Sequence, residues 1–199
     1  MVEVGGLYSL QPGPNDFAPT PSSASPAVAG NSFGLFGGVA VALSASADVG
    51  VEFSVPSRYE VLQTARYGDL RIDNDHRDAI LSELVRLHSD RRQAHRVRLE
   101  AVAGVSQVWE STLQRSATSV GPPGGTGPFG PFSAQTELTR ITFGLTGGMN
   151  LVWTVGKHFD FGPLLRVHWI SRAAVGEENG SLGLGAVIVR PAVAAGIRF

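Results

Sequence analysis

Apolar and polar side chains alternate with a period of two over most of the chain. From Arg96 to Glu110 the odd positions carry Val97, Leu99, Ala101, Ala103, Val105, Gln107 and Trp109, while the even positions include Arg96, Arg98, Glu100, Gly104, Ser106 and Glu110. From Leu138 to Val155 the odd face is Ile141, Phe143, Leu145, Met149, Leu151, Trp153 and Val155, set against Arg140, Thr142, Thr146, Asn150 and Thr154. Two more segments repeat the pattern: Phe159 to Trp169, with Asp160, Arg166 and His168 on the even face, and Val187 to Phe199, with Arg190 and Arg198 on it. Such alternation belongs to strands whose two faces meet different surroundings. Four strands are predicted here.

The first half carries weaker versions of the same signal. Val2, Val4, Tyr8 and Leu10 mark a strand at the N-terminus, and Leu35, Val39, Val41 and Leu43 a second. Val49, Val51, Phe53 and Val55 alternate with Gly50, Glu52 and Ser54 in a third, with room to continue past Pro56 through Tyr59 and Val61. Residues 79–88 fit two templates. Leu81, Val85 and Leu87 against Ser82, Arg86 and His88 suit a strand, whereas Ile80, Leu81, Leu84 and Val85 behind an Asp78 cap suit a short amphipathic helix. Strand is preferred because every neighbour is a strand.

The count is eight, in a single domain spanning residues 1–199. Long connections at about 11–31, 68–78, 116–133 and 173–181 alternate with short ones at 44–48, 90–94 and 156–158. In an antiparallel nearest-neighbour meander, the long loops then fall at one end and the tight turns at the other, an asymmetry that transmembrane barrels show. The fold class expected is all-β, an eight-stranded antiparallel up-and-down transmembrane β-barrel.

Composition decides which face meets which solvent. Charged residues make up 17% of the chain, below the roughly 25% usual in soluble domains. The 25 glycines argue against a helical bundle, since each interior Gly costs about 1 kcal/mol there. A net charge of −1 leaves nothing to neutralise a nucleic-acid backbone. With no Cys, disulfides and thiol chemistry are excluded. The chain has a single Lys, Lys157, in a tight turn, so the charged positions on the polar faces are Arg, His and carboxylates. Arg paired with carboxylates suits a crowded interior better than a solvated exterior, and an eight-stranded lumen is just wide enough for side chains to fill. The polar face is therefore placed inside and the apolar face against lipid. The lumen set expected is Glu52, Arg86, His88, Arg98, Glu100, Arg140, Asp160, Arg166, His168, Arg190 and Arg198. Trp109, Trp153 and Trp169 sit on the apolar face toward strand ends, where interfacial aromatics belong; packed core aromatics are the alternative reading.

By its last segment, Val187-Ile188-Val189-Arg190-Pro191-Ala192-Val193-Ala194-Ala195-Gly196-Ile197-Arg198-Phe199, the chain resembles a bacterial outer-membrane β-barrel. The stretches Thr139 to Met149 and Leu164 to Ile170 are similar to small, uncharacterised barrels of the eight-stranded, OmpA-like kind. The resemblance implies residence in the bacterial outer membrane, with the lipid bilayer as partner. It also implies an assembly signal, carried by Val193, Ile197 and Phe199, that the outer-membrane insertion machinery reads. A cleavable signal peptide belongs to that picture. Residues 1–10 lack its basic and apolar regions and already read as strand, so Met1 is expected to open a trimmed or incomplete chain.

The candidate chemistry is sparse. None of the five His has metal-ligand spacing, and no metal, cofactor or catalytic site is expected. Some barrels of the kind resembled carry a His/Ser/acid site that deacylates or transfers acyl chains on the lipid-facing surface. Here His88 and His168 fall on the lumen face, and there is no G-x-S-x-G. The lumen charges read as an internal pairing network or, alternatively, as a narrow anion-favouring path. The loops, notably 116–133 with Phe129 and Phe132, read as connections or as a surface that binds an unidentified partner. The expected function is a non-enzymatic outer-membrane barrel with a structural or surface-interaction role. A soluble calycin-like barrel binding an apolar ligand and a membrane-embedded acyl-chain hydrolase are the alternatives.

Overall fold

A computed structural model describes residues 1–11, 30–67, 70–89, 97–118, 134–171 and 184–199. The strands follow one another as β1 (Val2–Gln11), β2 (Gly30–Ala42), β3 (Ala47–Pro56), β4 (Tyr59–Tyr67), β5 (Leu70–His88), β6 (Val97–Thr118), β7 (Ala134–Val155), β8 (Phe159–Ser171) and β9 (Leu184–Ile197). They form one antiparallel sheet, closed by pairing of β1 with β9 and of β3 with β5. β4 is the upper half of the β3 stave. It pairs with the first residues of β5 after a break at Ser57 and Arg58. Pro56 accounts for the break, because it has no N–H to continue the ladder and its partner Gly34 is the last residue β2 pairs with β3. The barrel thus has eight staves, and the strand expected to continue past Pro56 does so.

Register sets the shape. A walk around the barrel along Cα partners leads from Phe159 through Ile197, Val2, Val39, Val51, Glu83, Val105 and Leu145 to Trp169. The circuit returns to β8 ten residues above its start. Ten residues at ~3.3 Å against eight strands ~4.8 Å apart give a strand tilt of about 40°. The rise from Phe159 to Trp169 along the axis is then about 25 Å, the height of the apolar band in membrane barrels.

Within that height the outward positions are apolar. Phe33, Leu35, Val39, Val41, Phe143, Leu145 and Met149 are all exposed, while the alternate positions face inward and are largely buried. Residues 79–88 are strand, paired on one side with β3 and on the other with β6. Pairing on both edges overrides the local helical pattern. The expected loop at 68–78 is not found: β5 begins at Leu70 and pairs with β6 from there. Its sequence Leu70-Arg71-Ile72-Asp73-Asn74-Asp75-His76-Arg77-Asp78 lies beyond the lipid-facing band, where the demand for an apolar outer face ends, and it carries no alternation. β6 likewise runs on to Thr118 and β7 starts at Ala134. The expected loops at 11–31, 116–133 and 173–181, and the turn at 90–94, lie for most of their length outside the described residues.

Geometry dictates several glycines, Gly156 and Gly104 among them. Gly156 opens the turn between β7 and β8 with φ at 66°, a left-handed conformation that side chains disfavour. Gly104 on β6 lies so close to β5 that a Cβ there would run into the Glu83 carbonyl. Gly104→Val should therefore destabilise the refolded barrel by about 1–3 kcal/mol, measured as a lower urea midpoint in detergent. An unchanged midpoint would mean that β5 and β6 are not in this register.

Candidate functional site

The lumen is the densest concentration of polar chemistry in the molecule, and it is layered. At the short-turn end, Arg98 bridges Glu100 at 2.8 Å and Asp160 at 3.0 Å. Arg198 reaches the other oxygen of Asp160 at 2.9 Å, and the Thr154 hydroxyl donates to that oxygen at 2.8 Å. His88 lies beside Asp48, 3.4 Å from Nε2 to Oδ1, and its Nδ1 contacts the Ser89 carbonyl oxygen at 2.9 Å.

Higher up, Arg166 grips Glu52 with two parallel bonds, Nε to Oε2 at 2.8 Å and Nη2 to Oε1 at 2.6 Å. This fork geometry is one that Arg has and Lys lacks. Arg86, with 0% of its side chain exposed, donates through Nη2 to Glu52 at 2.7 Å and also to Glu3. Asn150 joins the two groups, accepting from Arg166 at 2.7 Å and donating to Glu100 at 2.8 Å. One continuous chain of charge-assisted bonds therefore runs from Arg198 to Glu3.

Above the charges come hydroxyls. Ser82 and Ser106 are 2.7 Å apart, Ser106 also bonds Thr146, and Thr146 meets His168 Nδ1 at 2.7 Å. Arg190 donates to Ser9 at 3.2 Å, to Ser54, and to the Asp78 backbone carbonyl at 2.7 Å. Toward the long-loop end an apolar layer follows: Ile80, Val108, Ile170 and Ile188 close over the lumen and are at most 2% exposed. Two lumen cavities, one beside Glu100 and Asp160 and one beside His168 and Arg190, have volumes of about 20 Å³ each. Each has room for a single water molecule.

Of the expected lumen residues, Glu52, Arg86, His88, Arg98, Glu100, Asp160, Arg166, His168 and Arg190 are buried inside, and Arg198 is half-buried against Asp160. Arg140 stands on β7 in register with Glu110, and its side chain lies outside the described residues. Glu3, Asp48 and Asp78 are lumen carboxylates absent from the expected set. Glu3 was readable, because Val2 and Val4 pointing outward put it inside. The apolar layer was not, since inward and outward apolar residues look alike on a list.

The expected interfacial aromatics all face outward and are half-buried by their neighbours. Trp153 stacks on Phe161 at the short-turn end, with ring centroids 5.8 Å apart. Trp169 lies over Gly147, and Trp109 meets Phe53 edge-on at 6.4 Å, both toward the long-loop end. On the last strand Val193 and Ile197 point outward, and Phe199 is 95% exposed beyond its end. Among the described residues no group of three or more His, Asp or Glu is placed to hold a metal ion. The His168 hydroxyl chain faces the lumen, not the outer wall.

Beyond the apolar band β4, β5, β6 and β7 continue as a smaller sheet. There Glu137 accepts a hydrogen bond from Ser111 at 2.7 Å and pairs with Arg58. The Ser111 hydroxyl and the Arg58 guanidinium hold the Glu137 carboxyl below the usual carboxylate range.

No family model and no curated protein matches the chain. Solved structures do. Ail, the attachment invasion locus protein of Yersinia pestis, solved in complex with the heparin analogue sucrose octasulfate, is 12% identical with a TM-score of 0.53, and the match covers 100% of this chain and 96% of that one. Neisserial surface protein A is 15% identical with a TM-score of 0.48, covering 100% and 97%. The outer membrane protein OprG from Pseudomonas aeruginosa is 11% identical with a TM-score of 0.49, covering 98% and 92%. At this identity the Ail likeness is one of fold: the chain has the eight-stranded outer-membrane-type barrel.

Two measurements probe the site. Arg86→Met strands the Glu3 and Glu52 carboxylates in a dry interior, and breaking a buried pair in this way costs about 3–5 kcal/mol. The urea midpoint of the refolded barrel should fall accordingly, and adding Glu3→Gln should recover part of the loss. In an NMR titration in micelles, Glu137 should titrate below an ordinary Glu, and Ser111→Ala or Arg58→Ala should move it back up. Because its folded-state pKa is depressed, the contact is at full strength above the ordinary carboxylate pKa and is lost as pH falls through the depressed value.

Proposed function

We propose that this chain is a bacterial outer-membrane protein with a closed lumen. Its role is to hold a structured surface on the loop side of the membrane, without transport or catalysis. The observation that carries the reading is the outward band, apolar around the circumference except at Glu83 and Gln107 for about 25 Å and bounded by Trp153 at one end and Trp169 at the other. A soluble ligand-binding barrel would put that apolar face inside. In this chain the inside is charged, paired and filled. A lipid-facing acyl hydrolase needs a base on the outer wall, and His168 bonds Thr146 within the lumen.

The short turns and the C-terminal end of β9 lie on the periplasmic side in this reading, and the strand that carries Val193, Ile197 and Phe199 is the one offered to the insertion machinery. The long loops and the sheet formed by β4 to β7 then stand outside the cell. β6 extends nine residues past Trp109, about 30 Å along the strand. Ail, the neighbour of similar fold, was solved in complex with the heparin analogue sucrose octasulfate, which supports a binding role for this chain.

Refolded protein should stay in solution only with detergent or lipid and should show a heat-modifiable gel shift; a monomer stable in plain buffer would overturn the reading. In planar bilayers no discrete current steps should appear, because the Ile80, Val108, Ile170 and Ile188 layer and the ion pairs below it leave no continuous water path. Regular steps from purified protein would restore the narrow-pore alternative.

A further inference from the structure

Within the apolar band, the described outward positions carry one carboxylate. Glu83 on β5 is exposed, points to the same side as Leu81, Val85 and Leu87, and pairs in register with Val51 and Val105. It makes no hydrogen bond or ion pair with any described residue. Among the described outward positions between the levels of Phe159 and Trp169 it is the one charged group. The circuit of Cα partners fixes its depth. Glu83 is the fifth of eight steps from Phe159 to Trp169, about 16 Å above the first and about 9 Å below the second. Hydrocarbon offers no partner at that depth, and an outward charge near the midplane destabilises a membrane barrel.

We propose that Glu83 is the centre of a lipid-embedded interface between two copies of this chain. Two copies inserted in the same sense are related by a two-fold axis along the membrane normal, which keeps every residue at its own depth. Glu83 therefore meets the same residue of the second copy. A protonated carboxyl carries one O–H donor and a carbonyl acceptor, so two of them complete each other across the axis with no other group required. A lipid headgroup cannot reach this depth, and a different protein would have to bring its own donor to the middle of the bilayer. The wall around Glu83 admits close approach: Ala101 and Ala103 on β6 are exposed and small, and Val51, Val85 and Val105 are short and branched. Gln107, diagonal to Glu83 across the β5–β6 ladder, supplies an amide at the rim of the same patch.

The inference rests on the membrane reading, and the test separates the two. The protein is refolded into phosphatidylcholine vesicles, insertion is checked by the heat-modifiable shift, and self-association is followed by fluorescence energy transfer between labelled copies. Failure to insert counts against the membrane reading; insertion as a monomer at high protein-to-lipid ratio overturns only the interface. Glu83→Leu should weaken dimerisation roughly tenfold or more, whereas Glu83→Gln, whose amide can also pair with its own copy, should retain it. The chain has no Cys, so Gln107→Cys, which the strand tilt places almost directly above Glu83 and so close to the two-fold axis, should give a disulfide-linked dimer. Gly6→Cys should not, because it faces lipid on β1, four strands from Gln107 and at nearly the depth of Glu83, where a Cβ meets nothing within 4 Å. Equal cross-linking at both positions, or undiminished dimerisation of Glu83→Leu, would overturn the proposal.

Discussion

An unpaired strand edge in hydrocarbon leaves a row of N–H and C=O groups with nothing to bond, so a sheet that enters a membrane has to close. In this chain closure is made by the first and last strands, Val2 to Leu10 against Val189 to Ile197, and by β3 against β5. Much else follows from it. Eight staves with a ten-residue stagger fix the tilt and hence a narrow radius. A narrow lumen has no bulk water to solvate charges, so each charge that faces inward must find a partner there.

That requirement explains the composition of the interior. Five carboxylates, Glu3, Asp48, Glu52, Glu100 and Asp160, share the turn-side half of the lumen with Arg86, Arg98, Arg166, Arg198 and His88. Charge nearly balances within a few ångströms. Planar guanidiniums span two partners at once, as Arg98, Arg86 and Arg166 each do. Such a network is a poor source of net stability, since desolvation opposes the attraction. Its value is that only one register of the staves pairs all the members, which makes it a device for specifying register. The isoleucine and valine layer above it needs no pairing and completes the closure of the bore.

The strands inside the band were legible because lipid and lumen impose different demands on alternate residues. Leu145 beside Thr146, or Trp169 beside His168, reads as strand on sight. The signal disappears wherever the two faces meet the same medium. Asp73-Asn74-Asp75 on β5 and Gln114-Arg115-Ser116 on β6 are strand beyond the lipid-facing band, yet their sequence is that of a loop. Inside the lumen the converse holds: Ile80, Ile170 and Ile188 occupy the polar face, and parity locates them there while composition does not. Glu83 was hidden for a different reason. It stands in a segment that also fits a helix, and pairing with Val51 and Val105 fixes the strand whose parity turns it outward with Leu81 and Val85.

The change of medium also accounts for where the chain departs from barrel geometry. Below Pro56 each stave has two neighbours, and none can be lost without exposing backbone to hydrocarbon. Above it, among the described residues β7 keeps only β6 as its partner from Ala134 to Phe143, because β8 pairs with it from Gly144 downward. Water satisfies the free edge there, so closure is no longer required. The chain is then at liberty to hold β4, β5, β6 and β7 as an open sheet on one side of the mouth. An open sheet offers edges, loops and mixed charges such as Arg58 and Glu137 that a closed barrel lacks. The same physics that makes the span nearly invariant in design leaves the outer end free to carry recognition.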